Sequence, residues 1–294
     1  MMNAAWRRLS LLYALLLCAA SPAAAQQVQL AFLDVGQGDA VLLLTPERKT
    51  MLVDAGRNGT VVARYLHALG IDTLDFLVAS HNHDDHIGGF PDVLAEIPIR
   101  SYMDNGVPTT RTYRLYEQFI LPSGARYLQA ESRTIRLGSV QVRVLPPPDR
   151  RLRLRRTEQN NRSVGLLIQY GQWRALLTGD AQEEELGYWL RVDSVPPVTV
   201  LKVNHHGSRN GTTPGWLART QPRVAVISVG HNSYGHPSPA VIAAWCAAGA
   251  FVFRPDQNGS IVIRADTTGH GVVEALPDVA GAAVSPTSAC GGGP

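Results

Sequence analysis

One stretch constrains this chain more than any other: Leu77-Val-Ala-Ser-His81-Asn-His83-Asp-Asp85-His86-Ile-Gly-Gly89, an apolar strand running straight into metal-ligand side chains and a Gly pair. Such a strand has to end at the edge of a sheet. In the extended residues beyond it His81 and His83, two apart, point to the same side and can grip one ion. Asp85 and His86 follow where the chain turns and offer a carboxylate and an imidazole to a second ion, donors suited to Zn²⁺, Mn²⁺ or Fe. The chain has 9 His in 294 residues, so three within six positions beside two Asp mark a built site rather than an incidental polar loop.

The N-terminus reads differently. Trp6-Arg7-Arg8 is a basic region, Leu9 to Ala20 an apolar one, and Ala23-Ala24-Ala25 a small-residue cleavage site, so residues 1–25 are expected to be a signal peptide and the protein to be exported, periplasmic or secreted. Leu17 before Cys18 argues against a lipid attachment site. Cleavage after Ala25 would leave 269 residues (294 minus 25) and take Lys+Arg from 27 to 25 against 24 acidic groups, close to neutral. Bulk charge therefore gives no argument for nucleic acid, and any such argument has to come from local patches. Cys246 and Cys290 are too few for a disulfide scaffold, and Cys246 reads as a buried helical thiol, so no essential bridge is expected.

Along the chain, apolar runs of strand length alternate with helical patterns in both halves, and no composition break marks a linker. Residues 26–276 read as one domain and 277–294 as a disordered tail rich in Ala, Pro, Ser and Gly. The fold class expected is α/β, two mixed sheets stacked face to face with helices outside, an αββα sandwich of four layers. Two later segments share the habit of the opening stretch, an apolar strand followed by ligand residues and Gly: Leu177-Thr-Gly-Asp180, and Val198 to Val203 leading to Asn204-His205-His206-Gly207-Ser208. Arg150-Arg-Leu-Arg-Leu-Arg-Arg156 puts five arginines in seven residues, either a solvated loop or a clamp for the phosphates of a polyanion, with Arg153, Arg155 and Arg156 as candidate contacts.

His-x-His-x-Asp-His with a later Gly-Asp and a later His resembles the metallo-β-lactamase superfamily, an αββα sandwich of dinuclear metallo-hydrolases. Phe32-Leu-Asp-Val-Gly-Gln-Gly-Asp39, Asn160-Asn-Arg-Ser163, Leu177-Thr-Gly-Asp180, His205-His-Gly-Ser208, Tyr234-Gly-His-Pro237 and Asp256-Gln-Asn-Gly259 narrow the match. Together they are similar to the extracytoplasmic hydrolase domain of the competence channel family ComEC. The resemblance implies two divalent metal ions, Zn²⁺ or Mn²⁺, with His81 and His83 on the first, Asp85 and His86 on the second, Asp180 bridging and His205 completing the second. His206 competes with His205, because spacing does not say which of two consecutive imidazoles faces inward. The third histidine usual for the first metal is missing, since no His lies between His86 and Asp180. Asn160, Asn161 and Ser163 stand there instead, either as oxygen ligands that would tilt preference toward Mn²⁺ or as residues that shape the loop by hydrogen bonds.

Two cations close together lower the pKa of a bridging water and neutralise charge growing on a scissile group. The expected function is an exported metal-dependent phosphodiesterase or nuclease using such a hydroxide, with a phosphodiester such as DNA as partner. Asp85 would take the nucleophile's proton, His236 would bind substrate or protonate the leaving oxygen, and Ser208 would contact substrate. Asp34, Asp39 and Asp54 read as residues that hold loops and orient ligands. The sequence shows no stretch that reads as a channel, so the chain itself is not expected to carry DNA across a membrane. The alternatives are hydrolysis of another ester or amide, such as a lactone or β-lactam, and a non-catalytic DNA-binding module.

Overall fold

The computed structural model describes residues 26–148, 159–192, 195–277 and 281–291. The signal-peptide expectation for residues 1–25 and the arginine run at 150–156 lie outside the described residues. One sheet holds β1 (Val28–Phe32), β2 (Val41–Leu44), β3 (Thr50–Val53), β4 (Phe76–Val78), β5 (Ser101–Asp104) and β6 (Arg126–Gln129). The other holds β7 (Arg133–Leu137), β8 (Val140–Leu145), β9 (Gly165–Tyr170), β10 (Trp173–Leu177), β11 (Val200–Lys202), β12 (Val224–Val226) and β13 (Phe251–Phe253), after which β14 (Ser260–Ala265) and β15 (Gly271–Leu276) return to the first. The sheet orders are β15-β14-β1-β2-β3-β4-β5-β6 and β13-β12-β11-β10-β9-β8-β7.

Period-2 alternation within the strands builds the layers. Val28, Leu30 and Phe32 of β1 join Val142, Val144, Leu166, Ile168, Ala175 and Leu177 of the second sheet in one core between the sheets. Ala31 and Leu33 face the other way, toward Val62, Tyr65 and Leu66 of the helix Thr60–Ala68 and Phe90 and Val93 of the helix Phe90–Glu96. On the far side, Leu176, Leu201 and Val252 pack against Leu186, Trp189, Trp216 and Trp245 from three helices. Three apolar interfaces separate four layers, the αββα sandwich expected.

Two differences from the sequence expectation concern the C-terminus. The tail expectation is corrected for residues 281–291: Val284 pairs with Ala275, Val252 donates its N–H to Ser288 Oγ at 3.1 Å, and Ala289 N–H reaches the Val252 carbonyl at 2.7 Å. That added strip along β13 carries Cys290 to the helix Pro239–Ala247, where it forms a disulfide with Cys246. The bridge spans a sequence separation of 44, a loop for which closure entropy alone is worth about 4 kcal/mol. Reducing the protein is expected to lower its melting temperature by several degrees; an unchanged transition in scanning fluorimetry with and without reductant would show that the bridge contributes nothing.

Candidate metal centre

Four strand ends deliver polar groups to one edge of the sandwich. β3 precedes Asp54, β4 precedes Ser80–His86, β10 precedes Asp180, and β11 precedes His205 and His206. The β3–β4 and β10–β11 pairs are parallel, so their C-terminal ends share an edge from which loops can carry ligands. The turn of helix Asp84–Ile87 swings His86 back beside His81, with ring centroids 4.1 Å apart. Gly38 has to be glycine at this edge, because a Cβ there would fall 2.1 Å from the Asp85 carbonyl.

The two consecutive histidines adopt left-handed backbone conformations, φ 48° at His205 and 51° at His206, which cost energy in residues with a Cβ. The strain separates them. His206 turns inward and is 2% exposed, whereas the His205 side chain stays 18% exposed at the cleft.

The inward imidazoles share one orientation. His86 Nδ1 lies 2.8 Å from Asp54 Oδ2, and His206 Nδ1 donates to the Ser228 carbonyl at 2.9 Å. His81 Nδ1 lies 3.1 Å from Ser80 Oγ, which itself donates to Asp54 at 2.6 Å. With each Nδ1 engaged outward, the Nε2 atoms converge on a single oxygen: Asp180 Oδ2 is 3.3 Å from His86, 3.3 Å from His206 and 3.8 Å from His81. The Nε2 atoms of His86 and His206 are buried and find no hydrogen-bond partner among the described residues. Three donor groups result, His81/His83/Asp180, Asp85/His86/His206 and Asp39/His86/Asp180, with ligand atoms within 4.8 Å of one another in each. Imidazole nitrogens fixed through their far nitrogen and aimed at a shared carboxylate are the donors a divalent ion takes at about 2 Å, so the residues fit metal.

Charge is concentrated here. Burial, with the neighbouring His86, holds the His81 pKa well below its ordinary value. Burial also opposes protonation of His86, but the carboxylates of Asp180, Asp54 and Asp39 overcome it and raise the pKa well above normal. His206 is pushed up to about 9 against burial by Asp180 and Asp85. Burial disfavours ionised Asp180, yet His206 and His86 hold its carboxyl well below the usual range.

The Metallo-beta-lactamase superfamily matches the sequence over residues 33–231. The chain belongs to that superfamily. It is 29% identical over 273 residues to ComE operon protein 3 of Bacillus subtilis, covering 83% of this chain and 34% of that protein. It is 33% identical over 236 residues to Competence protein ComA of Neisseria gonorrhoeae, covering 78% and 31%. The chain thus spans about a third of the length of these relatives. Among solved structures, Igni18, a metallo hydrolase from Ignicoccus hospitalis, shares the fold at TM-score 0.51 and 15% identity, covering 84% of this chain and 98% of that one. The chain thus combines a superfamily metallo-hydrolase fold with a converging His/Asp cluster. Among the described residues no helix is long and apolar enough to cross a membrane.

The structure brings His81, His83, Asp85, His86 and Asp180 together as the superfamily pattern implies. It corrects the choice of His205. The left-handed pair directs His206 into the group with Asp85 and His86, while His205 Nε2 stands 3.9 Å from Asp180 and 3.3 Å from Asn160 Nδ2. Asn161 Oδ1 accepts from Gln182 N–H at 3.0 Å and its amide donates to Glu184 at 3.0 Å, so both ends are engaged in the loop. Ser163 Oγ accepts the Asp180 N–H at 3.1 Å and donates to the Asn160 carbonyl at 2.9 Å, which fixes the backbone under Asp180. Of these three, Asn160 alone lines the cleft of about 350 Å³ above the cluster.

His236 lines that cleft too, its ring 5.3 Å from His205, and burial followed by the adjacent His205 and His206 lowers its pKa. Ser208 is corrected as a substrate contact: it is buried, its N–H closes the turn onto the His205 carbonyl at 2.8 Å, and it does not line the cleft. Asp39 and Asp54 sit behind the imidazoles, in the orienting position expected. Arg57 at the rim was not singled out by sequence, and Tyr234 entered only as the first residue of the segment Tyr234-Gly-His-Pro237. Neither was Lys202, which is 1% exposed, ion-pairs with Asp39, donates to the Gly179 carbonyl at 2.9 Å and lies 3.6 Å from Asp180 Oδ1. A lone Lys in the apolar run Val198 to Val203 was the available signal, because a central strand buried on both faces admits a charge only with a partner.

Proposed function

We propose that the chain is an exported phosphodiesterase acting on DNA or a related phosphodiester with two divalent ions, Zn²⁺ or Mn²⁺. His81, His83 and Asp180 would hold one, Asp85, His86 and His206 the other, and Asp180 would serve both. The observation that carries the substrate class is the likeness to competence proteins over 83% and 78% of the chain. Bound ions would supply Lewis acidity toward a phosphoryl oxygen and a nucleophilic water at neutral pH. The protein's own groups do the rest. Asp85 stays ionised, held low against burial by His206, whose Nε2 lies 3.5 Å from its Oδ2, and by His86, and so can accept the nucleophile's proton. His236 also lines the cleft, where its ring can hydrogen-bond the substrate. The Arg57 guanidinium, which lines the cleft beside Asp84, can meet a non-bridging phosphate oxygen.

The test offers the protein, from Gln26 onward and loaded with Mn²⁺ or Zn²⁺, a single-stranded oligodeoxynucleotide, a bis-aryl phosphodiester and a chromogenic cephalosporin in parallel. Cleavage of the first two is expected. Turnover of the cephalosporin alone would move the substrate class to amides and overturn the proposal. Replacing Arg153, Arg155 and Arg156 by Ala is expected to weaken oligonucleotide binding without changing the bis-aryl rate, and an unchanged affinity would leave that run a solvated loop.

A further inference from the structure

The outer face of the seven-stranded sheet carries a recess of about 440 Å³ that the metal centre does not use. Strand parity puts its floor there. Val142 and Val144 of β8, Ile168 and Tyr170 of β9, and Trp173 and Ala175 of β10 point into the core between the sheets, so Gln141, Arg143, Gln169 and Arg174 point outward. Register aligns them: Gln141 pairs with Gln169, Gln169 with Arg174, and Arg143 lies opposite Leu167. Thr134 of β7 extends the row on one side, and Arg219 of the helix Pro214–Thr220 stands over the other. No described lining residue carries a carboxylate. The Arg143 Nε is buried and has no hydrogen-bond partner among the described residues.

The guanidiniums of Arg143 and Arg174, with neutral amide and hydroxyl donors around one recess, select an anion with several acceptor oxygens. We infer that the recess is a binding groove for the phosphodiester backbone of a single nucleic-acid strand, an inference that rests on the reading of the chain as a phosphodiesterase. Extent favours a chain over an isolated anion. From the β7 strand to the β10 strand is three strand spacings, about 14 Å, room for successive phosphates. Of its apolar lining, Val195 and Leu167 are sunk at 1% and 6% exposure and only Pro197 is exposed, little for a flat bilayer to engage. Among the described residues no aromatic ring lines it, so the contacts fall on the backbone and carry no sequence preference. Arg174 lies six residues before Asp180 on the same strand and its exit loop, at most about 20 Å of extended chain, so a strand held in the groove can also reach the metal centre.

The experiment is fluorescence anisotropy of a labelled 20-nucleotide thymidylate strand with the chelator-treated full-length protein, which binds without cleaving, between 50 and 200 mM salt. Combined Arg143→Gln and Arg174→Gln substitution is expected to weaken binding about tenfold at the low-salt end. It is also expected to reduce the slope of log affinity on log salt by about 1.4, roughly 0.7 for each phosphate that is no longer neutralised. Gln169→Glu, which places a carboxylate beside Arg174 with minimal change of shape, is expected to act in the same direction. Wild-type affinity and slope in both variants, or transfer of the arginine effect to phosphatidylglycerol vesicles with none on the oligonucleotide, would overturn the inference. The metal-loaded variants are expected to hydrolyse the bis-aryl phosphodiester, which is too short to span both sites, at the wild-type rate. Failure of wild type on that small substrate would count against the proposed activity and leave the binding result to judge the groove.

Discussion

Replacing Asp180 by Ala is expected to abolish metal binding at both positions at once and, with it, hydrolysis of any substrate the protein turns over. Oδ2 of this one carboxylate lies 3.3 to 3.9 Å from the Nε2 atoms of four histidines, His81, His86, His205 and His206. Without it the imidazoles face one another and the buried Lys202 cation, with no shared anion to draw a divalent ion between them. Loss of an orienting partner behind a ligand costs about 10–100-fold in metal affinity, so Asp54→Asn is expected to fall in that range and Asp180→Ala well beyond it. Isothermal calorimetry and elemental analysis of the purified variants supply the readout independently of activity. An Asp180→Ala protein that keeps the wild-type metal content would remove Asp180 from the centre and dismantle the assignment built on it.

Where each residue type speaks for itself, the sequence was legible. His81, His83 and His86 stand out because few structural roles need three imidazoles within six positions, and Asp180 because it follows a strand and precedes no competing ligand. The hairpin of β9 and β10 was readable from the turn Gly171-Gln172 between two apolar runs. Strands β6, β7 and β15 are hard to read from sequence for a physical reason: at the sheet edges they expose alternate or successive residues, as in Arg126–Gln129, and so lack the continuous apolar run of a buried strand. The choice between His205 and His206 was hidden more deeply. It depends on two consecutive residues in left-handed conformations, which the spacing of ligand residues along the sequence does not encode. The missing third histidine draws attention to the segment Asn160, Asn161 and Ser163. Their division into one cleft residue and two loop-holding residues follows from hydrogen bonds to the helix Glu183–Arg191 that spacing does not encode.

Lys202→Met is expected to destabilise the metal-free protein by about 3–5 kcal/mol, the usual cost of stripping one partner from a buried charge pair. At about 2–4 °C per kcal/mol for a domain of this size, that is a fall in melting temperature of roughly 6–20 °C. Its Nζ is the buried ammonium that faces Asp39 and Asp180, and although burial disfavours its charge, those two carboxylates raise its pKa above the ordinary lysine value. Truncation leaves both acids without that counter-charge beneath the His cluster. Divalent ions at the cluster would take over part of the compensation, so the penalty is expected to shrink when Zn²⁺ or Mn²⁺ is added, and metal should raise the melting temperature more in the variant than in wild type. Lys202→Arg keeps the charge but brings a planar fork where a compact ammonium sits, and should fall between the two. Equal losses with and without metal would mean that Lys202 acts through packing. No loss in either state would mean that the buried carboxylates are neutralised without it, by protonation or by the imidazoles alone.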